Sequence, residues 1–164
     1  NGSIKALIAS VGIDSLAVWY SQTLAMPWRR GFTRYFVALL KAALEFRRGE
    51  VTIRSGDTET TVKRCLSVIV SKQPFYGYGL LMSRGRLDDQ ALTLRAVHRP
   101  KHLLPSILTA AALRIRPSRD RFYSADSFTV HSSEEQWLQC DGEAVLRGHE
   151  FTFEHLPNHV RLLM

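Results

Sequence analysis

Two carboxylates flank a glycine in residues 137–145, Trp-Leu-Gln-Cys-Asp-Gly-Glu-Ala-Val, where Asp141 and Glu143 follow an apolar, strand-like run. Side chains two positions apart on an extended chain face the same side, so both carboxylates can point into one site while Gly142 admits a close backbone approach. That arrangement suits a general base with a supporting acid. The Asp-Gly pair between apolar runs is also a strong hairpin signal, and on pattern alone the plain turn is preferred. A second candidate is Pro74-Phe75-Tyr76-Gly77-Tyr78-Gly79, an aromatic-glycine loop whose glycines let a ligand approach the backbone. Asp88 and Asp89 offer oxygens to a hard cation or simply solvate a turn. Asp14, after Gly12 and Ile13, reads as a turn or cap residue exposing its carboxylate.

These residues need a frame, and 164 residues suffice for one domain with a proper core. A hydrophobic content of 45% and scattered charges exclude a disordered chain. The formal charge of +7 favours anionic partners: membrane surfaces, phosphorylated ligands or nucleic acid. Cys65 and Cys140 lie in apolar runs, as small buried hydrophobes do, which points to a reducing, cytoplasmic setting. The chain starts Asn-Gly-Ser, with no basic leader or signal cleavage pattern, and reads as a piece of a longer protein.

Residues 4–11 suit a buried strand. Between residues 6 and 28 the one charge is Asp14, yet serines, Gly12, Gln22 and Pro27 interrupt the run, so a strand and turn are expected there and no membrane span. Phe32, Tyr35, Phe36, Leu39, Leu40, Ala43 and Phe46 recur at helical spacing, with Gly49 as a stop. This amphipathic helix is read as core-facing, although Trp28, Arg29 and Arg30 before it also suit a lipid headgroup boundary. Val51 and Ile53 open a hairpin through Ser55-Gly56-Asp57, and residues 60–70 return as one strand. Residues 92–97 read as a strand and 102–115 as a second helix with arginines at its end. Strands are expected over 122–130, 136–145 and 150–164. The whole is a mainly β, sandwich-like domain with two flanking helices.

Several chemistries are excluded. His155 and His159 have zinc-like spacing only on a helix, and Pro157 lies between them. No serine sits in a nucleophile elbow, and neither cysteine has a histidine arrangement of a thiol enzyme. Nucleic-acid binding has charge in its favour but no recognition module.

Taken in order, the signals resemble the C-terminal domain of the diacylglycerol kinase-like lipid kinases, the group with bacterial lipid kinases and sphingosine kinases. Its Gly-x-Gly-x-Asp-Ala segment is similar to Ser10-Val11-Gly12-Ile13-Asp14-Ser15, and its Pro-Tyr-Tyr-Gly-Gly-Gly loop to residues 74–79. The Asp-Asp-Gly resembles Asp88-Asp89-Gln90, the Asp-Gly-Glu is Asp141-Gly142-Glu143, and residues 157–164 resemble the closing strand. Lys72, Tyr78 and Gln90 depart from the pattern.

The resemblance implies that residues 1–164 are the lipid-side half of a two-domain kinase, with Mg²⁺ and ATP held mainly by an N-terminal nucleotide-binding half. It implies transfer of the γ-phosphate to a hydroxyl of a membrane lipid such as diacylglycerol or a sphingoid base. Asp141 becomes the base and Glu143 its support, with Asp14, Tyr76, Gly77 and Gly79 near the lipid and Asp88 and Asp89 at a cation. Expected partners are the lipid substrate, an anionic membrane surface to which the protein is peripheral, and a second copy in a homodimer, with no nucleic acid. A non-catalytic lipid-binding module on the same fold is the alternative, and an NAD kinase half fits the motif order less well.

Overall fold

The computed structural model describes residues 4–25, 31–76, 80–81, 90–98 and 121–157. The expected helix over 102–115 and the close of the last strand after residue 157 lie outside the described residues. In chain order the elements are β1 (Ile8–Gly12), α1 (Ile13–Thr23), α2 (Phe32–Glu45), β2 (Val51–Ser55), β3 (Thr58–Val62), β4 (Ser67–Ser71), β5 (Phe75–Tyr76), β6 (Leu80–Leu81), β7 (Leu92–Val97), β8 (Arg121–Ala125), β9 (Ser127–Cys140) and β10 (Glu143–Glu154). Among the described residues all strand pairs are antiparallel.

One eight-stranded sheet runs β3-β2-β9-β1-β4-β7-β8, with β10 on the other edge of β9, and β5 and β6 form a separate ribbon. The long strand β9 serves two neighbours along one edge. Thr129 to Ser132 pair with β2, and Leu138 to Cys140 pair with β1. The sheet curls, and Val51, Ile53, Val62, Phe128 and Val130 pack against Val68, Val70, Leu92, Leu94 and Ala96 in one core. This is the mainly β, sandwich-like architecture expected from the sequence; of the two helices among the described residues, α2 was expected and α1 was not.

Strand alternation explains which side chains enter that core. Val68 and Val70 of β4 and Leu92, Leu94 and Ala96 of β7 face it. Ser67, Ser71, Thr93 and Arg95, at the intervening positions, are equally buried on the opposite face. There the two helices add a second apolar layer, in which Ala17 meets Ala38 and Ala42 with Leu66 and Val97 beneath them. Alanine at these three fully buried positions lets the helices approach closely. The Tyr20 hydroxyl donates to Glu45, which also accepts from Lys41 at 2.5 Å, tying α1 to the end of α2. Those hydrogen bonds, that from Lys41 first, hold the Glu45 carboxyl below its ordinary range.

Three expectations require correction. Residues 13–23 form a helix and not a turn, because Gly12 ends β1 and Ile13 N–H donates to Leu66 O at 2.9 Å, turning the chain back over the sheet. Residues 60–70 form two strands, since Arg64 adopts a positive φ of 54° that breaks the extended run. Residues 122–130 are likewise split, between β8 and β9, at Asp126, whose carbonyl accepts His155 N–H at 2.8 Å. Among the described residues no helix is long and apolar enough to cross a membrane.

Cys65 and Cys140 are both free. Burial pushes the Cys65 thiol up to about 12, so it stays protonated at neutral pH. Iodoacetamide at pH 8 is therefore expected to leave Cys65 unmodified in the folded protein and to alkylate it in urea, with mass spectrometry as the readout. Rapid labelling of Cys65 without denaturant would contradict the buried placement.

Candidate functional site

Asp141 and Gly142 are the two-residue loop of the β9–β10 hairpin, with φ of 48° and 92°. Positive φ at both positions is the backbone of a type I′ turn, which Asp-Gly adopts readily. The hairpin reading of the sequence therefore holds. The extended geometry that would aim both carboxylates to one side does not occur: Asp141 leaves the turn, and Glu143 begins β10 opposite Cys140. Both residues are exposed.

The start of β1 holds the turn in place. Asp141 N–H donates to Ile8 O at 2.9 Å. Its carboxylate accepts Ile8 N–H at 2.9 Å on Oδ1 and Leu7 N–H at 3.2 Å on each oxygen. A carboxylate has about four lone-pair sites, so Asp141 retains capacity toward solvent or a ligand. The Leu7 carbonyl in turn accepts Lys72 N–H at 3.1 Å, placing Lys72 at this end of the sheet.

Two glutamines clamp the loop from behind. Gln139 is almost fully buried. Its Oε1 accepts Gly142 N–H at 2.8 Å while its Nε2 donates to Ser10 Oγ at 2.8 Å. Ser15 at the start of α1 extends the chain, lying 3.1 Å from Ser10 Oγ and donating to Ser10 O at 2.7 Å. From the last turn of α1, Gln22 reaches Gly142 O at 3.4 Å and accepts Ala144 N–H at 3.3 Å. The Trp19 ring stacks on Trp137 at 5.3 Å between centroids, fixing α1 against β9.

Gln139→Ala leaves the Gly142 N–H without its side-chain partner and is expected to cost about 1–3 kcal/mol in urea unfolding. An unchanged midpoint would mean that the turn stands without this clamp.

Asp14 differs from expectation. It is buried in the first turn of α1, not exposed, and Ser67 Oγ donates to its Oδ1 at 2.6 Å. An acid there complements the helix dipole. It lies past the far end of β1 from Asp141, about 13 Å along a strand at ordinary rise. Tyr76 has its backbone in β5, opposite Leu80. Gly77, Gly79, Asp88 and Asp89 lie outside the described residues. Among the described residues no group of three or more His, Cys, Asp or Glu could hold a metal ion.

The sequence reading missed Gln22, Gln139 and the buried polar face of the sheet. Gln139, Ser10, Ile69 and Arg95 are consecutive cross-strand partners on β9, β1, β4 and β7. Arg95 is fully buried, with its guanidinium 6.0 Å from the Phe122 ring centre. The available signal was polar residues at alternate positions within otherwise apolar runs, which places them together on one face.

No protein-family model matches the sequence, and none of the curated proteins matches it. Solved structures do match. A provisionally named diacylglycerol kinase from Bacillus anthracis str. Sterne superposes with a TM-score of 0.63 at 14% identity, over 96% of this chain and 55% of that one. Another structure with the same provisional name and organism gives 0.56 at 15% identity, over 98% and 56%. A structure named a diacylglycerol kinase, again from that organism, gives 0.50 at 14%, over 96% and 56%. The chain thus spans little more than half the length of the proteins it matches. Its fold is that of the C-terminal half of a diacylglycerol kinase-like protein.

Proposed function

We propose that this chain is the lipid-side domain of a kinase that transfers the γ-phosphate of MgATP to a hydroxyl of a membrane lipid, with Asp141 as the base. The observation that carries the reading is the Asp141 carboxylate itself: it stands on an exposed turn, yet is oriented by the backbone amides of Leu7 and Ile8, while two glutamines hold the backbone of the turn beside it at Gly142. A plain solvated turn has no need of such restraint, whereas phosphoryl transfer depends on positioning. The shared fold supports the same reading.

In this reading Asp141 takes the proton of the lipid hydroxyl as its oxygen attacks phosphorus, and Glu143 adds negative charge beside it. The turn does not aim Asp141 and Glu143 to one side, so they are not assigned as joint ligands of a cation, and Glu143 acts on the base through its charge alone. Bound MgATP supplies the phosphoryl group and neutralises charge on it. The nucleotide is assigned to a domain beyond this chain, and Asp88 and Asp89 remain candidates for a cation site.

The test is transfer of labelled phosphate from MgATP to a panel of diacylglycerol, sphingoid base and phosphatidylglycerol in mixed micelles, using the full-length parent. Labelling of one lipid supports the kinase and names its substrate. Labelling of none, with lipid still bound, replaces it with a non-catalytic lipid-binding module.

A further inference from the structure

We propose that Asp141-Gly142 is a latent site of covalent rearrangement, at which Asp141 converts to isoaspartate whenever the turn comes free of β1 and Gln139. It is the one Asp-Gly pair in the sequence. Glycine carries no side chain to shield its nitrogen, so in such a pair the following amide can reach the carboxyl carbon. The Gly142 nitrogen attacks Cγ of a protonated Asp141 carboxyl, whose OH leaves with the nitrogen's proton as water. The new C–N bond closes a five-membered succinimide ring, which water then opens. Breaking the Cγ–N bond restores aspartate. Breaking the original peptide bond instead leaves the main chain running through Cγ, with the carboxylate attached directly to Cα. Nothing is oxidised or reduced.

The folded turn holds this step off by geometry. Ring closure needs Asp141 Cβ and the Gly142 nitrogen eclipsed about the bond from Cα to the carbonyl carbon. Asp141, at φ 48°, is the first central residue of the type I′ turn. A ψ of about +30° there sets those two atoms nearly opposite each other. The peptide would have to rotate, and it is pinned. Gly142 N–H donates to Gln139 Oε1 at 2.8 Å, and Gln139 is 1% exposed and anchored on Ser10 Oγ at 2.8 Å. The carboxylate is pinned as well, by Ile8 N–H at 2.9 Å and Leu7 N–H at 3.2 Å. Ser10, Ile8 and Leu7 all lie in or beside β1, so opening the edge between β1 and β9 releases the carboxylate and the Gln139 anchor together. Such local openings set how often a protected group meets chemistry. On the lipid-kinase reading, which gives the change its consequence, isoaspartate lengthens the main chain within the turn and takes the candidate base out of position.

The experiment incubates the wild-type chain at neutral pH and physiological temperature, folded and in guanidinium chloride, and measures isoaspartate at position 141 by electron-transfer fragmentation in a mass spectrometer. Asn1-Gly2 can close the same ring with loss of ammonia, so isoaspartate is scored residue by residue. The folded chain is expected to form it at least about tenfold more slowly than the denatured chain. Without denaturant, Gln139→Ala is expected to raise the folded rate at least about fivefold. Val62→Ala loosens the core from β3, at the far edge of the sheet, and leaves the turn's contacts in place, so it should not match that rise. The proposal is overturned if folded and denatured wild type behave alike, or if Gln139→Ala is no faster than Val62→Ala. The wild-type comparison stands even where Gln139→Ala does not fold. Kinase activity does not enter the readout, so the lipid-kinase reading fails separately, on transfer of labelled phosphate.

Discussion

Asp141→Asn in the full-length parent is expected to slow phosphate transfer by about 10²–10⁴-fold, the usual worth of a positioned general base, while leaving the fold intact. The structure makes this substitution unusually clean. The Asn Oδ1 can take the place of the oxygen that accepts both Leu7 and Ile8 N–H. Asn-Gly is as good a type I′ pair as Asp-Gly, so the positive φ at both turn positions is tolerated. Basicity and charge are removed, together with the second oxygen that Leu7 N–H meets at 3.2 Å, a contact Leu7 keeps on Oδ1. The measurement is kcat for the labelled lipid, set beside a urea midpoint for each protein. A variant that keeps its rate at an unchanged midpoint would return Asp141 to the role of a turn residue.

Gly12→Ala should be the most damaging small substitution in the fold. Gly12 sits at φ 127° and ψ −149°, in a region that residues with a Cβ scarcely occupy. A Cβ there would lie 2.3 Å from Leu66 O and 2.8 Å from the Cα of Ser67, both main-chain atoms. Neither can easily give way: Leu66 O accepts Ile13 N–H at 2.9 Å, and Leu66 N–H donates to Val97 O at 2.8 Å. Backbone strain of about 1–3 kcal/mol and overpacking of about 1–3 kcal/mol act together. That is a large part of the roughly 5–15 kcal/mol by which a domain is stable. Gly56→Ala is the control, since Gly56 also has a positive φ, 54°, but nothing lies within 4 Å of its added Cβ. Strain alone should cost about 1 kcal/mol there. Equal urea midpoints for the two variants would refute the close-approach argument.

Legibility in the sequence followed how one-sided each element is. Helix α2 was recognisable because its apolar residues recur at helical spacing, although Phe36, Leu40 and Ala43 of that stripe are exposed and the buried positions are Ala38 and Ala42; β7 was recognisable because six consecutive buried residues leave only an extended core strand. Helix α1 was not: Ile13, Asp14, Ser15, Ala17, Val18 and Tyr20 are all buried, so no polar stripe marks its period. The Asp-Gly hairpin was readable from two adjacent residues. Its clamps were not, because Gln22 and Gly142 are 120 positions apart and nothing local in either stretch announces their contact. Asp14 misled in another way. Just after the turn signal of Gly12 an acid was expected to face solvent, but here the chain turns back and buries it against Ser67.

The edge that β9 divides between β2 and β1 also sets an order of events in folding. Residues 129–132 join a strand about eighty positions earlier, whereas 138–140 must find partners near the very start of the described chain. Such distant pairings are slow to form, because a long loop has to close before any contact rewards it. During synthesis, β1 can pair with β4 soon after both emerge, but its other edge stays open until residue 140 has left the ribosome. Only then can Leu7 and Ile8 seize the Asp141 carboxylate across 134 and 133 positions. The candidate base is thus fixed by a closure that spans most of the described chain, and a partly folded molecule carries the residue without the geometry.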